Sequence, residues 1–173
     1  MIETNYDILQ KITNIDFDLK KRLNELCENP YLVDAYIEYA LSENKFAWRA
    51  SWVISHFAYK HPEKVQRFAD TLISNLNNIS KDGHIRETLK TIYKLKLDEN
   101  QISTVFDFCM IILEDNKRQP SVRMIAFSFV LRVAETYAEL QNEISIIVEN
   151  IKDYLSPGIR NSFIKRLNKL KKT

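Results

Sequence analysis

Apolar side chains recur along this chain with helical spacing. Between residues 61 and 77, Val65, Phe68, Ala69, Leu72, Ile73 and Leu76 follow the i, i+3, i+4, i+7 pattern that puts them on one face of a helix. Ile102, Val105, Phe106, Cys109, Met110 and Leu113 do the same over 98–114, as do Leu140, Ile144, Ile147, Val148 and Ile151 over 139–154. The stretch 121–136 differs. Met124, Ile125, Ala126, Phe127, Phe129, Val130, Leu131, Val133 and Ala134 leave it almost no polar side, which suits a helix flanked by neighbours. Together the spacing predicts about ten helices, near 4–13, 16–28, 30–42, 45–59, 61–77, 83–95, 98–114, 119–136, 139–154 and 157–171. It also predicts a core containing Leu72, Ile73, Leu89, Met110, Ala126, Phe127, Val130 and Ile147.

Helix-start signals agree with these limits. Thr4 and Asp7 resemble a capping box, and Asp98 with Gln101 forms another cap-and-box pair. Asn29-Pro30, His61-Pro62 and Ser156-Pro157 each set a capping side chain before a proline at the first helical position, and Ser121 follows Pro120 where a helix can restart. Composition then narrows the class. Two glycines and four prolines are too few for the tight turns of a sandwich or barrel, or for glycine-rich nucleotide loops. Gly83 and Gly158 are both expected in loops. With 45% hydrophobic and 28% charged residues over 173 positions, the chain suits one folded domain, 1–173, and the fold class is all-α.

The helices also repeat. Arg49, Arg86, Arg123 and Arg160 stand 37 residues apart. An apolar residue precedes each (Trp48, Ile85, Val122, Ile159), another follows three later (Trp52, Leu89, Ala126, Phe163), and His56, Tyr93, Val130 and Leu167 come seven later. A two-helix unit at this period is the mark of an α-solenoid, because one pair cannot bury its apolar face alone and stacked pairs can. Trp48-Arg49-Ala50, Ile85-Arg86-Glu87, Val122-Arg123-Met124 and Ile159-Arg160-Asn161 resemble the Val-Arg start of the second helix in HEAT repeats. The likeness covers 30–171, with 1–28 as a degenerate N-terminal pair. It implies a right-handed α-α superhelix of about five helix pairs. Repeats of that family often carry an aspartate six residues before the arginine. Here those positions hold Glu43, Ser80, Lys117 and Tyr154, and Asp82 and Asp115 lie close enough to substitute.

Charge and chemistry add less. A net charge of +2 demands neither nucleic acid nor membrane, although the end from Arg160 onward is basic and the first forty residues lean acidic. Cys27 and Cys109 stand far apart, no apolar run reaches the ~18 residues of a membrane span, and Met1-Ile2-Glu3 begins no signal peptide. A reduced, cytoplasmic protein follows as the expectation. His56, His61 and His84 lack metal-ligand spacing, and no nucleophile motif, P-loop or dinucleotide fingerprint occurs. We therefore expect no catalytic residues, no metal and no cofactor. Trp48, Trp52 and His56 follow one another along a helix face beside Arg49, which reads as core packing or as an aromatic groove. The four arginines read as buried interface residues or as a row holding phosphates. The expected function is a non-enzymatic module that binds a protein or peptide, with Trp48, Arg49, Trp52, His56, Arg86, Arg123 and Arg160 as its candidate surface. The alternative is nucleic-acid binding, as in the HEAT-like DNA glycosylases, although no residue here matches a catalytic position of those enzymes.

Overall fold

A computed structural model describes residues 5–14 and 17–170, and among them the chain is helical with no strand. The chain forms two compact units that meet in sequence between Leu97 and Asp98. The first holds α1 (Asn5–Thr13), α2 (Leu19–Glu28), α3 (Leu32–Ala40), α4 (Ala47–Lys60), α5 (Pro62–Val65), α6 (Ala69–Ser74) and α7 (Asp82–Ile92). The second holds α8 (Glu99–Glu114), α9 (Pro120–Thr136), α10 (Leu140–Ile151) and α11 (Pro157–Leu170).

One central helix organises each unit. In the first, α4 packs against α2, α3 and α7. Its buried positions include the small Ala47, Ala50, Ser51 and Ala58, which let neighbouring backbones come close, and Val53, Ile54 and Phe57, which fill the space between them. In the second, α9 packs against α8, α10 and α11. Val122, Ala126, Phe127, Phe129, Val130, Leu131, Val133 and Ala134 are all buried, as the unbroken apolar stretch predicts. Phe127 stacks on Phe163 of α11 with ring centroids 3.9 Å apart, and neither ring reaches solvent.

Several expectations needed correction. The helix predicted over 61–77 is broken: α5 and α6 alternate with 3-10 turns at Gln66–Phe68 and Leu76–Asn78. Around the first break, the Gln66 side chain pairs with the Lys96 backbone, donating to its carbonyl at 2.8 Å and accepting from its N–H at 2.9 Å. At the second, Ser74 and Asn78 hydrogen-bond to Thr71 and Asn75, the local pairing by which these residues compete with a helix. The apolar faces still point inward, with Val65, Ala69, Leu72, Ile73 and Leu76 buried. Periodicity thus located the face and missed the interruptions.

Gly83 and Gly158 lie in the first turns of α7 and α11, not in loops, and neither has a positive φ. Asn29 does not cap α3. Its side chain donates to the Glu25 carbonyl at 3.3 Å and closes the end of α2 instead, so α3 starts only at Leu32. Asp18 caps α2 by accepting from the Lys21 N–H, which is why that helix begins at Leu19. The Asp98–Gln101 capping box forms as predicted, whereas Thr4 lies outside the described residues. Seven of the eight predicted core residues are buried. Met110 is only half-buried, because α8 turns Ile112 and Leu113 inward beside Val105, Phe106 and Cys109.

Truncating Phe127 removes a stacked ring from the centre of the second unit. Phe127→Ala is expected to cost about 3–5 kcal/mol in urea denaturation, and a loss below about 1 kcal/mol would contradict the packing of α9 on α11.

Candidate functional site

The aromatic helix face on α4 divides in the structure. Arg49, in the first turn, donates through Nη1 to the carbonyls of Ile12 at 2.8 Å and Asn14 at 3.3 Å, where α1 ends. Its guanidinium also lies 5.4, 5.0 and 5.5 Å from the ring centroids of Phe17, Phe46 and Trp48. Trp52 packs on Phe17 at 5.8 Å and meets His56 edge-on at 5.5 Å, while His56 Nδ1 donates back to the Trp52 carbonyl. Both rings are half-buried. Trp48 alone of the three stands exposed, at 37%.

Trp48 forms one wall of a cleft of about 530 Å³ between the α3–α4 and α6–α7 connections. Leu41 and Ile79 give it apolar surface. Ser42, Asn44, Asn75, Asn78 and Ser80 give it hydrogen-bonding groups, and Glu43, Lys45 and Lys81 give it charge. His84, in the first turn of α7, also lines it and is only 8% exposed. Its Nε2 is buried and has no hydrogen-bond partner among the described residues. Burial holds the imidazole below its usual pKa, with the Ala40 backbone hydrogen bond opposing that shift and the Lys81 charge adding to it. A neutral ring with its proton directed to Ala40 leaves Nε2 as a bare acceptor. A polar atom stripped of water without a replacement bond costs about 1–3 kcal/mol, a cost the fold carries at this nitrogen.

The other arginines are placed one by one. Arg123 is 3% exposed and donates twice to the Leu113 carbonyl, at 3.1 Å from Nε and 2.7 Å from Nη2, closing the end of α8. Burial lowers its pKa, and the nearby Asp115 raises it. Arg86 is half-buried and donates through Nε to Glu87 Oε1 at 2.8 Å. Arg160 is half-buried at the start of α11. The structure therefore brings Trp48, Arg49, Trp52 and His56 together on α4, and Arg86 is linked to that helix through Glu87 and Ser55. In the second unit, Arg123 and Arg160 start different helices.

Two features of this region were not identified in the sequence. Glu87 is 1% exposed and accepts from Ser55 of α4 at 2.6 Å, from Arg86 and from Lys90 at 3.0 Å. Burial would raise its carboxyl, but the hydrogen bonds from Ser55, Arg86 and Lys90, with the Lys90 charge, outweigh it and hold the group below the usual carboxylate range. It is a buried acid joining α7 to α4. A glutamate directly after the repeated arginine was its one available signal. His84 gave less, because nothing in its spacing distinguishes a buried ring with one free nitrogen.

Elsewhere, Cys27 Sγ approaches His61 Nε2 at 3.7 Å, and His61 Nδ1 stands 3.8 Å from Glu63, too far for a hydrogen bond. Cys109 is buried, which pushes its thiol far above the usual value against a weaker pull from Arg132. Among the described residues, no group of three His, Cys, Asp or Glu side chains is arranged to hold a metal.

Removing Arg123 strands the Leu113 carbonyl and deletes packing along the aliphatic stem. Arg123→Ala is expected to cost about 1–3 kcal/mol in thermal or urea unfolding. An unchanged melt would mean that the double bond to Leu113 contributes nothing.

Comparison with known proteins agrees with this architecture. No curated protein and no solved structure matches the chain. The family model for the HEAT repeat domain matches residues 10–171, spanning both units. This chain belongs to the HEAT repeat family, whose members are helical scaffolds often used for protein interaction.

Proposed function

We propose that this protein is a non-enzymatic binding module and that a segment of a partner protein occupies the cleft beside Trp48. The observation that carries this reading is the exposed indole of Trp48 in the wall of that cleft, which the side-chain amides of Asn75 and Asn78 also line. A peptide presents a backbone N–H and C=O at nearly every residue, so an extended segment can pair with such amides without a special side chain. Trp48 offers a flat aromatic surface of the kind enriched where proteins meet. Lys45 and Lys81 against Glu43 leave the cleft with an excess of positive charge, and Asn75 and Asn78 can pair with a peptide backbone.

The arginines support this reading over one based on nucleic acid. Arg49 and Arg123 direct guanidinium donors to helix-end carbonyls, and Arg123 is 3% exposed. A phosphate backbone would need such groups free at the surface. Cys27 is free and exposed, which fits a reducing compartment such as the cytoplasm. Among the described residues, no helix is long and apolar enough to cross a membrane.

A photo-crosslinking residue placed at Lys45 and activated in an extract of the source cells tests the reading. The expected adducts are destroyed by protease, survive nuclease, and disappear when Trp48→Ala is added. Adducts removed by nuclease would overturn it in favour of nucleic acid. Protein adducts that persist without Trp48 would remove the cleft from the site.

A further inference from the structure

We propose that the second unit carries an interaction surface of its own, a groove on α8 that docks a basic, amphipathic helix of a partner protein. Two apolar positions mark this groove. The helical spacing marks Ile102 and Leu140 for burial, yet the fold leaves both only half-buried. Both line one groove of about 410 Å³, on the N-terminal half of α8 and along the turn from α9 into α10. The apolar pattern thus extends past what the unit itself covers, and Ile102 and Leu140 share one groove with Phe106 and Val133.

Charge identifies the occupant. Glu99, Asp107, Glu139 and Glu143 surround the groove, and no lysine or arginine lines it. Most of the bases after Asp98 come from Arg160 onward, while four of the seven acids in 99–143 line the groove. Glu99 and Glu143 sit in the first turns of α8 and α10, where the helix dipole already favours acids. Asp107 stands in the middle of α8 and gains nothing from a dipole, yet it extends the same rim. An apolar floor within an acidic rim complements a helix with apolar residues on one face and lysine or arginine on its flanks. From Glu99 to Asp107 the rim runs about 12 Å along α8, roughly two turns of such a partner. This surface is independent of the cleft beside Trp48, and either can fail without the other.

Titration of the full chain, labelled with nitrogen-15, by synthetic helical peptides tests the proposal. One peptide combines leucine on one face with lysine on the flanks, a second replaces lysine by glutamate, and a third keeps the lysines but replaces leucine by serine. At low ionic strength, the leucine–lysine peptide alone is expected to shift the amides of 99–107 and 137–143, with binding weakening as salt is added. The double variant Asp107→Lys/Glu143→Lys should weaken it by about tenfold or more. Ile102→Ser should weaken it while leaving the melting temperature within a few degrees of the parent. No binding, equal binding of the lysine–serine peptide, or shifts outside the groove would overturn the proposal. So would sedimentation showing that a second copy of this chain fills the groove.

Discussion

A helix that is apolar over more than half of its circumference must be packed by several other helices, and the two units are organised by that constraint. In the first, α4 buries Ala47, Ala50, Ser51, Val53, Ile54, Ser55, Phe57 and Ala58. In the second, α9 buries nine positions from Val122 to Ala134 and leaves one half-buried side at Met124, Ile125, Ser128 and Arg132. Each large side chain removed from water contributes about 1.5–3 kcal/mol, which repays the ordering of the helices gathered around it. Those outer helices need only one apolar face. Their opposite faces and the connections are left for polar contacts, and both grooves described above include such connections.

The repeated arginine shows how one sequence column serves different local problems. Arg49 satisfies carbonyls at the end of α1, and Arg123 satisfies the Leu113 carbonyl at the end of α8. Both supply donors to helix ends that have no partner within the helix. Arg86 instead joins Ser55 and Lys90 around the buried Glu87, tying α7 to α4. These side chains are engaged within the fold, and the proposed cleft is lined instead by residues such as Trp48, which directly precedes Arg49.

The fold was legible because burial and periodicity are the same information. The unbroken apolar stretch of α9, the capping box of Asp98 and Gln101, and the 37-residue spacing all predicted what the structure contains. Interruptions were not legible. The first break in 61–77 coincides with the pairing of Gln66 to distant Lys96, a partner that local sequence does not record. The second coincides with local bonds of Ser74 and Asn78 that the spacing of apolar residues does not register. The site was half legible. The aromatic row on α4 was visible, but spacing alone put Trp48 with Trp52 and His56, whereas the structure turns Trp48 toward a cleft and packs the other two. His84 and Glu87 depend on which polar atoms find partners, and one-dimensional pattern does not contain that.

Native-state hydrogen exchange read by mass spectrometry tests the enclosure of α4 and α9 most directly. Amides of a helix covered by neighbours exchange only through large-scale opening, while those of one-sided helices exchange through local fraying. The account predicts that peptides covering 50–58 and 122–134 are the slowest to exchange in their respective units, slower than those covering 20–28 and 160–168. Exchange from α4 and α9 as fast as from α2 and α11 would contradict it.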